Sequence, residues 1–113
     1  MKIEVKEELK TGVVLAVDGD LVGGPHAEDF YQMVRELIDK GKLVVLVDLA
    51  KARRANSSGL GILIRGYVSL KNAGGSLRVY NLTKNVDHMF KLTRFNSILD
   101  VFATEEEARA GLK

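Results

Sequence analysis

The sequence contains no cysteine, no tryptophan and a single proline. Without cysteine there can be no disulfide framework, thiolate zinc site, iron-sulfur cluster or cysteine nucleophile, and the chain needs no oxidising compartment. No apolar run reaches membrane-spanning length, and Met1 to Lys6 alternates apolar with charged residues instead of forming the apolar centre of a signal peptide. No membrane insertion is expected, and the expected location is cytoplasmic. A surplus of one charge is missing too. Seventeen Lys and Arg stand against fifteen Asp and Glu, a net +2 that falls short of the basic excess of a dedicated nucleic-acid binder. Nucleic acid is therefore not an expected partner. What remains is 113 residues, 46% of them hydrophobic and 28% charged. At this length folding hides roughly two thirds of the unfolded chain's surface, enough for one core, so a single domain over residues 1–113 is expected.

Ile3, Val5 and Leu9 fall on alternate positions, and Val13 to Val17 follows after Thr11-Gly12. This pattern predicts two strands joined by a short turn. Gly19 to Gly24 reads as a mobile loop, and Pro25 suits the first turn of a helix running to about Lys40, with Phe30, Val34, Leu37 and Ile38 on one face and Gly41 as its stop. Leu43 to Val47 is an unbroken apolar run rich in β-branched valine, the mark of a central strand covered on both faces. A helical period then runs from Ser57 or Ser58 through Leu60, Leu63, Ile64, Tyr67 and Val68 to Gly74-Gly75. Leu77 to Tyr80 predicts a further strand, and strand, helix, strand in that order imply a right-handed parallel crossover. A third helix is expected from Thr83, a short strand at Val101-Phe102, and a last helix opened by a capping box between Thr104 and Glu107. Phe95 and Ile98 are either core or an apolar contact edge, with core favoured. The expected class is α/β, a mixed sheet of about five strands with about four α-helices.

Chemistry concentrates at Asn56-Ser57-Ser58-Gly59-Leu60-Gly61, between the central strand and the next helix. Asn and Ser are favoured helix N-caps because their side-chain oxygens accept hydrogen bonds from the first free N–H groups. One side chain suffices for that, yet three polar residues are supplied, so the segment is either a cap alone or a cap with a spare hydroxyl. A phosphate on Ser57 would be tolerated beside the partial positive charge of the helix start and would change the surface by roughly −1.5 to −2 charges. Lys51, Arg53 and Arg54 just before it form either a solvated loop or a basic rim for a phosphate or an acidic partner. Gly19 to Gly24 lacks the Lys-Ser or Lys-Thr of a nucleotide-binding loop. His26 and His88 have no second ligand at metal spacing, and no glycine pattern for a nucleophile elbow surrounds the serines. Neither a metal nor any other cofactor is expected, and the chain is not expected to be an enzyme.

Leu43 to Leu49, Asn56-Ser57-Ser58-Gly59-Leu60-Gly61, Gly74-Gly75-Ser76-Leu77-Arg78-Val79 and Leu82 together resemble the STAS domain of sulfate transporters and bacterial anti-sigma factor antagonists. Phe90-Lys91-Leu92-Thr93-Arg94-Phe95, Ile98 and Val101-Phe102 match that family's C-terminal third. In single-domain antagonists the usual motif is Asp-Ser-Ser-Gly or Asp-Ser-Ala-Gly; here Asn56 stands where the family has Asp. The resemblance implies that Ser57 is phosphorylated by an anti-sigma factor that is also a serine kinase and that supplies ATP and Mg²⁺. It further implies that the unphosphorylated chain binds this anti-sigma factor and frees a sigma factor, and that a serine phosphatase resets the cycle. The implied contact surface comprises Gly23 and Gly24 of the first loop, Arg53, Arg54, Asn56, Ser57 and Ser58, and Gly61, Ile62 and Arg65 of the following helix. The alternative is a constitutive STAS subunit docking on the ATPase of an ABC-type lipid transporter. A third class would bind a nucleotide or small anion at the helix start with Arg53 or Arg54.

Overall fold

The computed structural model describes residues 2–24 and 27–110. Five strands, β1 (Lys2–Glu8), β2 (Gly12–Asp18), β3 (Val44–Lys51), β4 (Ser76–Tyr80) and β5 (Asp100–Phe102), form one sheet in sequential order. β1 is antiparallel to β2, and every later pair is parallel. The connections contain α1 (Ala27–Asp39), α2 (Ser57–Asn72) and α3 (Lys84–Thr93), and α4 (Glu105–Arg109) follows β5. The sheet is mixed, as expected, and β3 is its central strand. Pro25 and His26 lie outside the described residues.

Side chains alternate across the pleat. Val13, Leu15 and Val17 of β2, Val45, Val47 and Leu49 of β3, and Leu77 and Val79 of β4 face one way. There they meet Phe30 and Val34 of α1, Leu60, Leu63 and Leu70 of α2, and Val86 and Phe90 of α3. Val14, Leu46 and Tyr80 face the other way, where Ala108 of α4 packs against them. β3 is covered on both sides, which is why its sequence shows no polar alternation.

Two local details differ from expectation. Thr104 Oγ1 accepts from Glu107 N–H at 3.2 Å, but the Glu107 carboxylate accepts from Ala103 N–H at 3.4 Å instead of closing the box on Thr104. Ile98 is 45% exposed and Leu99 is the buried residue. The cause is a 3₁₀ turn at Phe95–Ser97, entered through Arg94 at φ 61°, which shifts the inward-facing position by one residue while Phe95 still packs on the core.

On the second face Lys6 Nζ reaches Asp48 Oδ2 at 2.7 Å, and Asp48 Oδ1 accepts from Ala50 N–H at 2.9 Å and Asn81 Nδ2 at 3.3 Å. Tyr80 donates to Glu105 Oε1 at 2.9 Å, while Arg109 bridges Glu7 and Glu105. Burial pushes the Asp48 carboxyl up, but Lys6, the Ala50 N–H and Asn81 outweigh it and hold the group below its usual range. A carboxyl lowered by folding contributes stability above its unfolded pKa and loses it as pH falls through the folded value. Stability should therefore decline from about pH 4 downward. Asp48→Asn should cost about 1–3 kcal/mol at neutral pH and show a shallower acid decline, read from thermal midpoints across pH 2–7.

Candidate functional site

Because β2, β3 and β4 run parallel, the segments leaving their C-terminal ends gather at one end of the sheet, where open α/β sheets place their functional loops. Residues 52–56 leave β3 there. Gly19 N–H donates to Lys51 O at 3.1 Å, Leu21 N–H to Arg54 O at 2.8 Å and Asn56 N–H to Leu21 O at 3.1 Å, so Leu21 and Ala55 form a parallel bridge. Thr83 Oγ1 donates to Ala52 O at 2.6 Å and ties the same loop to the start of α3. Leu21 is fully buried, so the first loop is pinned through its middle and is not the freely mobile segment expected.

This pinning sets the position of α2. A Cβ on Gly59 would lie 1.8 Å from Leu21 O, so only glycine lets the helix start close onto the bridge. Asn56, extended at φ −124° and ψ 175°, caps α2 through Oδ1, which accepts from Gly59 N–H at 2.8 Å. The cap is thus complete with Asn56 alone. Ser57 and Ser58 are exposed, and neither hydroxyl has a hydrogen-bond partner among the described residues. The first turn of α2 carries no acidic residue, whereas that of α1 carries Glu28 and Asp29. A negative group at Ser57 would meet the helix N-terminus without a neighbouring carboxylate in that turn.

Most of the sequence-chosen residues assemble around this point. Gly23 backs onto Ser58, since a Cβ there would come within 2.8 Å of Ser58 Cβ, and Gly24 follows it in the open at φ 144°. Arg53 and Arg54 are exposed on the pinned loop. Gly61 lies one turn into α2, half-buried, with nothing within 4 Å of the place a Cβ would occupy. Arg65, one turn further, lays its guanidinium 3.8 Å over the Tyr31 ring, beside a 320 Å³ groove between α1 and α2 lined in part by Ile64 and Val68. Ile62 does not belong to the surface. It is 3% exposed because it shares the core-facing stripe of α2 with Gly59, Leu63 and Gly66. The sequence reading did not single out Val22, 43% exposed and next to Gly23; an isolated apolar residue in a glycine-rich stretch has no periodicity to reveal it.

Comparison with known proteins places the fold. A Bordetella bronchiseptica protein named as a candidate anti-sigma factor antagonist is 28% identical over 102 residues, covering 90% of this chain and 88% of its own length. A crystal structure of a candidate anti-sigma factor antagonist from Thermotoga maritima superposes with a TM-score of 0.79 at 21% identity, over 95% of this chain and 89% of that one. The Bacillus cell fate determinant SpoIIAA in its phosphorylated form has a TM-score of 0.73 at 18% identity, over 99% and 100% of the two chains. The family model for the STAS domain matches residues 2–108, and the chain belongs to the STAS domain family.

Proposed function

We propose that this chain is an anti-sigma factor antagonist whose partner binding is switched by phosphorylation of Ser57. The observation that carries this reading is the division of labour at the start of α2: Asn56 completes the cap and leaves the exposed Ser57 hydroxyl uncommitted. The naming of the Bordetella relative as an anti-sigma factor antagonist supports the binding role. That a fold neighbour has a phosphorylated form supports the view that this architecture tolerates the modification.

In this reading the chain is a substrate and ligand, not an enzyme. An anti-sigma factor with serine kinase activity holds ATP and Mg²⁺ and transfers the γ-phosphoryl group to Ser57 Oγ, and the hydroxyl proton leaves to the kinase's base or to solvent. A serine phosphatase hydrolyses the phosphoester and restores the binding form. The docking surface comprises Gly23, Gly24, Arg53, Arg54, Asn56, Ser57, Ser58, Gly61 and Arg65.

The test uses wild type and Ser57→Ala as baits in a bacterial lysate with ATP, followed by intact mass. Both should capture the same kinase-like ATPase, and only wild type should gain a phosphate and, once phosphorylated, release it. Asn56 in place of the family's Asp favours a second reading, a constitutive subunit docked on the ATPase of an ABC-type lipid transporter. Capture of a transporter ATPase with no phosphate gained would establish that alternative.

Gly61 supplies a sharper check of the surface. In a helix interior, glycine costs roughly 0.5–1 kcal/mol relative to alanine, and no packing inside this fold requires it here. Gly61→Ala should therefore raise the thermal midpoint by about 2–5 °C, while weakening partner binding about tenfold if the partner's backbone approaches the bare helix. Unchanged affinity would remove Gly61 from the docking surface.

A further inference from the structure

The net charge of +2 hides a strong segregation. No Asp or Glu occurs from Leu49 to Val86, a stretch that contains seven Lys and Arg, so the rest of the chain carries −5. This stretch includes the pinned loop, all of α2 and the start of α3.

Several of its cations are already engaged inside the fold. Arg78 caps the carbonyls of Ala108 and Ala110 on the second face, and Lys71 sits 5.6 Å over the Tyr67 ring. By contrast, Lys51, Arg53, Arg54 and Lys84 are exposed and have no side-chain hydrogen bond or ion pair among the described residues. Elsewhere Lys6, Lys91 and Arg109 are ion-paired with carboxylates.

The four unpaired cations sit on a fixed frame. The Leu21–Ala55 bridge holds the backbone of the loop, and the Thr83–Ala52 hydrogen bond brings Lys84 to the same end of the sheet. Arg65, held on Tyr31, continues the positive charge along α2. Exposed, unpaired cations held close together repel one another, so their arrangement favours a complementary anionic surface. Asp18, opposite Lys51 in the β2–β3 register, and Asp20 set a sign boundary on the β2 side of that end, so the complementary surface extends from Lys51 toward the β3 and β4 side.

We infer that the docking surface around Ser57 takes a carboxylate-rich protein segment, which lies over the ends of β3 and β4 against Lys51, Arg53, Arg54 and Lys84. A protein segment fits better than nucleic acid because the cationic patch is bounded by carboxylates and the whole chain carries only +2. The inference deepens the antagonist reading by giving the chemistry of the partner's surface, and it rests on that reading for placing the interface at Ser57. It also adds to the switch, since a phosphate on Ser57 would offset much of the patch's charge and compete with the partner's carboxylates for the guanidinium groups.

The test titrates ¹⁵N-labelled protein with a 14-residue peptide of alternating Glu and Leu pairs, and with its Lys counterpart. The Glu peptide should shift the amides of residues 51–58 and 84, and binding should weaken about tenfold between 50 and 300 mM salt. The Arg53→Glu/Arg54→Glu variant, with its fold checked by circular dichroism, should lose at least tenfold in affinity. Equal binding of the Lys peptide, shifts confined to other surfaces, or no binding at millimolar peptide would overturn the inference. Tighter binding to a 20-bp DNA duplex or to phosphatidylserine vesicles would overturn it as well, in favour of those partners. The peptide assay involves no phosphoryl transfer, so peptide binding without phosphate uptake at Ser57 would keep the acidic-partner surface and discard the switch. Phosphate uptake without peptide binding would do the reverse.

Discussion

Val45→Asp is expected to lower the thermal midpoint by at least about 10 °C. Val45 is fully buried near the start of β3, the central strand, paired with Val13 on β2 and Leu77 on β4, within the cluster that also holds Leu15, Val47, Leu60 and Leu63. The substitution loses the burial of a valine side chain, about 1.5–3 kcal/mol. It also places a carboxyl among aliphatic groups that offer no hydrogen bond. Kept ionised, the carboxylate would cost several kcal/mol; protonated, it still leaves a buried polar group unsatisfied at about 1–3 kcal/mol. With the carboxyl protonated the total is about 2.5–6 kcal/mol, comparable with the lower part of the 5–15 kcal/mol that holds a domain of this size. Ala50→Asp is the control, since Ala50 lies on the same strand but is exposed, and its effect should stay within about 0.5 kcal/mol. Thermal and urea denaturation followed by circular dichroism would report both. A midpoint for Val45→Asp within a degree or two of wild type would mean that β3 is not the central strand.

The order and type of the elements were readable because the signals that encode them are local. The valine-rich apolar run at 43–47, the polar triplet at 56–58 and Thr104 ahead of Glu107 announce a strand, a helix start and a cap within a few residues. The expectations that missed depend on partners far away in sequence. Leu21 looked like part of a free loop because its bridge to Ala55 and its contact with Gly59 join segments more than thirty residues apart. Val5 shares the apolar alternation of Ile3 and Leu9, yet it is 52% exposed: β1 is an edge strand, and its register shifts between Val5 and Glu7. Ile62 looked like the exposed face of α2, but that helix is flanked by α1 and α3 and its core-facing stripe is wide enough to include it. The second-face network was invisible for the same reason, since Lys6 meets Asp48 across 42 residues and Glu105 across 99.

Ser57→Asp should remain folded and lose its partner. The first half follows from cis energetics. Ser57 is the first residue of α2, exposed and outside the core, and the cap belongs to Asn56. A carboxylate at this position gains about 0.3–1 kcal/mol from the helix dipole, so the thermal midpoint should be unchanged or slightly raised. The second half follows from charge at the interface. One partner carboxylate about 4 Å from the new charge repels it by roughly 1 kcal/mol in water and about 4 kcal/mol at an effective dielectric of 20. Against a carboxylate-rich segment this repulsion recurs, while Arg53 and Arg54 lose part of their attraction to the partner as the nearby anion offsets them. With a factor of ten for every 1.4 kcal/mol, a loss of about 3 kcal/mol weakens binding at least a hundredfold. Ser57→Asn separates charge from size: it should bind within about threefold of wild type, because it matches the shape of the aspartate without its charge. Calorimetric titration of the captured partner with wild type, Ser57→Ala, Ser57→Asn and Ser57→Asp would read all four affinities. If Ser57→Asp bound as tightly as wild type, a negative charge at this position would not control docking, and the constitutive-subunit reading would replace the switch.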